Sequence, residues 1–295
     1  MAGKHSKNKK NDKLNKTLTK QEYRKQKAKK NIMFFFVLLI CISLLIYSGI
    51  QILKWFKDTN EIKDEMNQIN EIVAVTETAD EEDSEIIESE KEEDKSSPYW
   101  DYIKMNLIDV DFRELKTVNS DIKGWIQVNG TNVNYPFVQT NNNDYYLNHS
   151  ITKHSNSAGW VFMDFSNNIK SFDKNTIIYA HARVNQYMFG TLKNTLKESW
   201  LNNTDNHVIK LSTEKQNTLW QVFSVYHIPT TNDYIQTEFS GNDEFLEFTA
   251  MLKNRSIHNF NTTVTKDDKI LTLSTCYGND EKLVVHAKLI KYSNK

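Results

Sequence analysis

Cysteine is nearly absent: the chain of 295 residues holds two, Cys41 and Cys276. Also missing are a Gly-rich phosphate loop and any Cys/His cluster with ligand spacing, so neither a nucleotide nor a metal cofactor is expected. No internal repeat recurs along the chain. Net charge is almost absent too, at −1, but that near-neutrality conceals a strong asymmetry.

Residues 1–31 form a basic tail, with twelve Lys or Arg between Lys4 and Lys30 against Asp12 and Glu22. Then "IMFFFVLLICISLLIYSGIQIL", Ile32 to Leu53, runs for 22 residues without a charge. At about 1.5 Å per residue this spans a hydrocarbon core of roughly 30 Å. "KWFKDTNEIKDE" follows where a cleaved signal would have small residues, so 32–53 reads as an uncleaved membrane anchor. The basic cluster puts the tail in the cytoplasm and everything after Leu53 outside. Within 54–97, Ile62, Met66, Ile69 and Val73 recur at helical spacing, a juxtamembrane helix with a stripe open to self-association. "DEEDSEIIESEKEED", 80–94, is too acidic to order a core and reads as a solvated spacer. The bilayer is one expected partner; nucleic acid is not.

With Cys41 inside the span, Cys276 has no intrachain partner in the outer domain, 98–295. A leftover thiol there is reactive, paired with another chain, or buried as a small hydrophobe. That domain carries eight strand patterns, at 124–128, 132–139, 159–163, 175–181, 207–212, 218–228, 269–276 and 282–292. "NGT" joins the first two as a hairpin. Helices are expected at 101–118, 188–200 and 242–256, the last capped by Asn242, with a short turn at 143–149. About 200 residues with these elements predict a mostly β, mostly antiparallel barrel or sandwich with peripheral helices.

In "KILTLSTC", alternation puts Ile270, Thr272, Ser274 and Cys276 on one face and Leu271, Leu273 and Thr275 on the other. The thiol thus shares its face with hydroxyls. A hairpin through "YGNDE" would set Lys282 opposite Cys276, where an ammonium favours the thiolate and can stabilise an oxyanion. A thiol nucleophile also wants an imidazole. His181 ends the apolar run "IIYAH" at a strand terminus; His286, in "LVVHAKL", is the rival.

"TLSTC" resembles the cysteine motif of sortases, the membrane-anchored transpeptidases of Gram-positive bacteria, and "IIYAHARVNQYMFGTL" resembles their histidine segment. "GWIQVNGTNVNYPFVQTNNNDYYLNHS", "VFSVYHIPTTNDYIQTEF" and the helix at 242–256 are similar to class B members, so the likeness spans about 105–292. It implies an eight-stranded sortase-like β-barrel, preceded here by the one transmembrane helix. It also implies a cysteine transpeptidase that cleaves a sorting-signal peptide after Thr and hands the acyl group to an amine of a cell-wall precursor or a pilin. Cys276 would be the nucleophile and His181 the general acid and base. Asn143, Leu147, Tyr179, Thr230, Tyr234, Ile235 and Ser274 would bind the peptide. The family's arginine is replaced by Lys282, which lacks a planar two-pronged donor; Arg183 is the nearest other cation, whereas Arg113 and Arg255 sit in expected helices without a link to the site. That departure supports one alternative, a catalytically weak sortase-fold binding protein; a second is a tethered cysteine peptidase that hydrolyses its acyl-enzyme.

Overall fold

In the computed structural model, residues 4–78, 84–87, 97–278 and 280–295 are described. Helix α1 (Lys4–Ile72) includes one segment, within Thr19–Ile72, long and apolar enough to cross a membrane. The chain divides into two compact units, one through Lys57 and one from Asp58 to Lys295. The second unit therefore begins well before Pro98.

Inside that second unit the apolar stripe at 62–73 is already used. Ile62, Ile69 and Val73 are buried in its main core, and Met66 packs beside them. The stripe faces its own domain rather than a second copy, which corrects the self-association reading. Most of the acidic run at 80–94 lies outside the described residues. Its described part is no pure spacer, because β2 (Glu85–Ile86) pairs with the last strand at Lys291 and Tyr292.

The helix expected over 101–118 is interrupted. After β1 (Val75–Glu77), helix α2 (Tyr99–Tyr102) gives way to β3 (Ile108–Val110), which pairs antiparallel with β1. Ile108 and Val110 alternate into the core around half-buried Asp109, a period of two that a helix cannot satisfy. Helix α3 (Phe112–Val118) restarts at Asp111, whose carboxylate accepts from Arg113 N at 3.0 Å.

Eight strands close the barrel: β4 (Ile122–Val128), β5 (Asn134–Val138), β6 (Phe162–Met163), β7 (Asn175–Tyr179), β8 (Val208–Thr213), β9 (Gln216–Pro229), β10 (Ile270–Tyr277) and β11 (Glu281–Asn294). Neighbours run β10-β7-β6-β5-β4-β8-β9-β11, and β10 pairs with β11 to complete the circuit. All eight correspond to expected strands, although β6 is shorter than its pattern. The pairs β7–β10 and β5–β6 are parallel; the others are antiparallel. The β4–β5 turn holds Gly130 at φ +71°, and a Cβ there would lie 2.5 Å from Asn206.

The helix expected at 188–200 is mostly a 3₁₀ turn, Leu192–Leu196, followed by short α4 (Glu198–Leu201). Met188 sits at φ +54°, and Gly190 approaches the Arg183 carbonyl so closely that a Cβ would stand 2.2 Å from it. Helix α5 (Asn242–Arg255) matches its pattern, but Gly241 rather than Asn242 is the capping position. Glu244 Oε2 accepts from Ser240 N at 2.6 Å and Ser240 Oγ at 2.7 Å to secure the first turn. Phe245, Phe248 and Leu252 bury against Phe223, Tyr226 and Val284 on the barrel wall. Fully burying each such side chain stabilises by about 1.5–3 kcal/mol.

Candidate active site

Three strands bring the predicted residues together by register alone. In the parallel pair, the last rung joins Ser274 on β10 to Tyr179 on β7. Cys276 stands two residues further along β10 and His181 two residues past the end of β7, so both arrive at the same rim. In the antiparallel pair, Cys276 is directly opposite Lys282 on β11. The thiol thus lies between an imidazole from one neighbouring strand and an ammonium from the other. Lys282 Nζ donates to Cys276 Sγ at 3.3 Å. Thr275 Oγ1 donates to Ala180 O at 2.7 Å and locks the two strand ends together.

His181 Nε2 is 2.7 Å from the Leu147 carbonyl. A carbonyl only accepts, so Nε2 carries the proton and Nδ1 is left to face the thiol. The loop beyond His181 closes through Phe189 N, which donates to His181 O at 3.0 Å. Met188 and Phe189 anchor that loop by complete burial, which gives the "MF" of the histidine segment its physical reason.

The electrostatics follow from this placement. The Cys276 thiol is lowered to about 7, chiefly by the hydrogen bond with His181; burial opposes the shift and Lys282 assists it. His181 is raised by the same bond, against its burial. Both directions describe one thiolate–imidazolium pair. His286, the rival imidazole, is fully buried between Tyr226 Oη at 2.9 Å and Thr272 Oγ1 at 2.9 Å. Burial lowers it to about 3, so it stays neutral inside the wall.

A cleft of about 310 Å³ opens at this rim. Cys276, His181 and Lys282 line it, together with all seven predicted groove residues: Asn143, Leu147, Tyr179, Thr230, Tyr234, Ile235 and Ser274. Several of these also hold the wall. Tyr234 Oη and Ser274 Oγ are 2.9 Å apart, and Thr230 Oγ1 donates to Asp280 O at 3.0 Å. Leu147 is exposed, with its side chain free to meet an apolar ligand.

Two residues of the site escaped the sequence. Buried Asp164 accepts from Asn143 Nδ2 at 2.8 Å and Tyr179 Oη at 2.9 Å through one oxygen, setting two groove side chains at once. It lies in an irregular stretch with no periodic signal. Arg255 is the other. From α5 it grips Asp233 with two nitrogens, at 2.9 and 2.5 Å, and so fixes the loop that carries Thr230 and Tyr234. The expectation that Arg255 has no link to the site is therefore corrected. The Arg183 guanidinium is 3.5 Å from Ser157 O and 3.5 Å from Thr59 Oγ1, and Arg183 is not among the residues around the cleft. Arg113 is exposed and bonded to Asp111.

The eight-stranded closed barrel matches solved sortase B structures. The chain belongs to the sortase family: the family's sortase domain matches residues 126–290. It is 37% identical to sortase B of Staphylococcus aureus over 186 residues, 62% of this chain and 75% of that protein. Among solved structures, the Staphylococcus aureus sortase B–substrate complex aligns at 36% identity and TM-score 0.58, covering 61% of this chain and 84% of that one. A sortase B complexed with Gly3 aligns with the same identity and TM-score, covering 61% and 85%.

Proposed function

We propose that this chain is a membrane-anchored cysteine transpeptidase of the sortase B type. It cleaves a C-terminal sorting signal after Thr and transfers the acyl group to an amine of the cell wall or a pilin. The observation that carries this reading is the exposed Cys276 thiol, lowered to about 7 between His181 and Lys282 at the mouth of the cleft. The Cys276 thiolate attacks the Thr carbonyl carbon, and the carbonyl oxygen becomes an oxyanion beside Lys282 Nζ. Collapse breaks the C–N bond, His181 gives its proton to the leaving amine, and a thioester remains. An incoming amine loses its proton to His181, attacks the thioester, and expels the Cys276 thiolate. Gly3 in a relative's complex supports an oligoglycine amine as acceptor.

In this reading residues 1–31 are cytoplasmic, 32–53 span the cell membrane, and the unit from Asp58 to Lys295, which holds the expected catalytic domain, 98–295, faces the wall. The basic tail beside the uncharged span supports that direction. Protease shaving of protoplasts should remove the outer domain; its survival beside a cleaved external control would overturn the topology.

A second reading, a sortase-fold binder with weak catalysis, rests on the lysine at the arginine position. Thioester trapping separates the readings. Full-length protein in detergent micelles is mixed with Thr-containing sorting peptides, then with triglycine, and followed by intact-mass spectrometry. An adduct on Cys276 that triglycine resolves into a ligated peptide supports the transpeptidase. No adduct supports the binder, and an adduct lost equally fast without amine supports a peptidase.

A further inference from the structure

On the second unit's own stretch of α1, Glu61 and Glu65 stand one turn apart and share a face. Opposite them is His154, from the loop that follows the Leu147 turn. One ligand atom from each of the three lies within 4.8 Å of the other two, and His154 Nδ1 is already 3.5 Å from Glu61 Oε1. Carboxylate clusters are common on surfaces, so proximity alone decides nothing. The second observation is Glu65 itself. It is only 6% exposed, and its Oε2 has no hydrogen-bond partner among the described residues. Its other oxygen takes both available hydroxyls, Ser150 Oγ at 2.6 Å and Thr152 Oγ1. A buried carboxylate oxygen left without a donor costs free energy that a cation would recover.

We propose that Glu61, Glu65 and His154 form a binding site for a borderline first-row divalent cation of the Zn²⁺ type, stapling α1 to the 143–159 loop. The donor set of two carboxylates and an imidazole favours such an ion over Ca²⁺ or Mg²⁺, which take oxygen ligands. Tetrahedral Zn²⁺ with N and O ligands near 2.1 Å needs donor atoms about 3.4 Å apart. The cluster must therefore contract modestly, and His154, with 74% of its side chain exposed, is free to swing inward. The outer partners are in place. Asn156 Nδ2 donates to Glu61 Oε2 at 3.1 Å, and Thr152 Oγ1 touches both Glu65 and His154. The same loop supplies the Leu147 carbonyl that orients His181, so the ion would stiffen the support of the imidazole.

The Cys276–His181 pair would itself bind a thiophilic metal, so the test uses the full-length Cys276→Ala chain in detergent micelles. Metal is stripped with a chelator, and Zn²⁺ is titrated at pH 7 by calorimetry. One site is expected, with Ca²⁺ markedly weaker. Glu61→Gln and His154→Ala, checked for folding by circular dichroism, should each weaken Zn²⁺ by at least about tenfold, since loss of even an outer partner costs that much. Zn²⁺ should also raise the melting temperature of the Cys276→Ala chain and fail to do so in the two further variants. The proposal is overturned if the Cys276→Ala chain binds no Zn²⁺, if neither substitution changes its affinity, or if Ca²⁺ binds as tightly.

Discussion

Two halves of the same rim are built in different ways. The strand-borne half sets Cys276 opposite Lys282 in the β10–β11 ladder and holds His181 just past the end of β7, where the β7–β10 ladder has fixed the chain's direction. The loop-borne half, 143–159 and 182–190, is held from outside by α1. Buried Asp58 accepts from Ser157 N at 3.0 Å, Thr59 Oγ1 accepts from Asn185 Nδ2 at 3.1 Å, and Glu65 takes the hydroxyls of Ser150 and Thr152. A ladder gains cooperativity from every rung, whereas side-chain clips on a loop can open singly. Chemistry should therefore depend steeply on the strands and only gradually on the seam.

The largest expected effects test the strand half. Cys276→Ala should abolish peptide cleavage and transfer outright. His181→Ala should slow acylation by about 10²–10⁴, the usual value of a positioned acid–base group. It should also move the thiol's titration. The His181 bond is the main reason the thiol lies near 7, so its removal raises the inflection toward the ordinary 9.0. At pH 7 the thiolate fraction then falls, while at pH 10 the variant and the parent converge. Iodoacetamide alkylation rates across pH read this directly. An unmoved inflection would remove His181 from the pair.

Lys282→Met comes next. It keeps the aliphatic length and deletes the charge 3.3 Å from Sγ. Loss of one oxyanion donor costs on the order of 10²–10³ in rate, and the thiol inflection should rise, though less than in His181→Ala because Lys282 is the lesser cause. Lys282→Arg should retain or raise the single-turnover acylation rate. A silent Lys282→Met would make this lysine a solvated strand end.

The seam should behave differently. Ile62→Ala removes a side chain only 1% exposed. The loss is about 2–5 kcal/mol for an Ile-to-Ala change in a core. Hydrogen exchange should show it as faster opening of 58–73 and 143–159, with the thiol still titrating near 7. A thiol shift as large as that of Lys282→Met would break the contrast between ladder and clip.

The same contrast explains what could be read in advance. Short aromatic and β-branched runs broken by Asn, Asp and Gly marked the barrel strands, and strand ends marked His181 and Cys276. The short connection through "YGNDE" marked the Cys276–Lys282 pairing, which the ladder shows. None of this reaches the clips. Asp164 sits in "MDFSNN", where no alternation marks it, and its partners Asn143 and Tyr179 lie 21 and 15 residues away. The stripe at Ile62, Ile69 and Val73 was visible as a stripe, but a helical period names a buried face without naming what buries it. Met188 at φ +54° keeps the first residues of the expected 188–200 helix out of helical backbone, with Met188 and Phe189 buried instead.

Arg183 gives the smallest effect and the sharpest test of which cation serves the thiol. It follows His181 by two residues and carries the guanidinium that Lys282 lacks, so sequence proximity alone favours it. Its nitrogens instead reach Ser157 O and Thr59 Oγ1, both at 3.5 Å, the long end for such bonds. Both contacts serve the loop at Ser157 and the α1 segment at Thr59, not the thiol. Arg183→Met should therefore change single-turnover acylation by less than about tenfold, the equivalent of 1.4 kcal/mol. Its charge does act on His181, which it lowers as the least of five influences. Deleting it should move the imidazole's titration slightly upward and leave the thiol near 7. A loss of 10²–10³ in Arg183→Met beside a silent Lys282→Met would transfer the oxyanion role to the loop and reverse the order of the two halves.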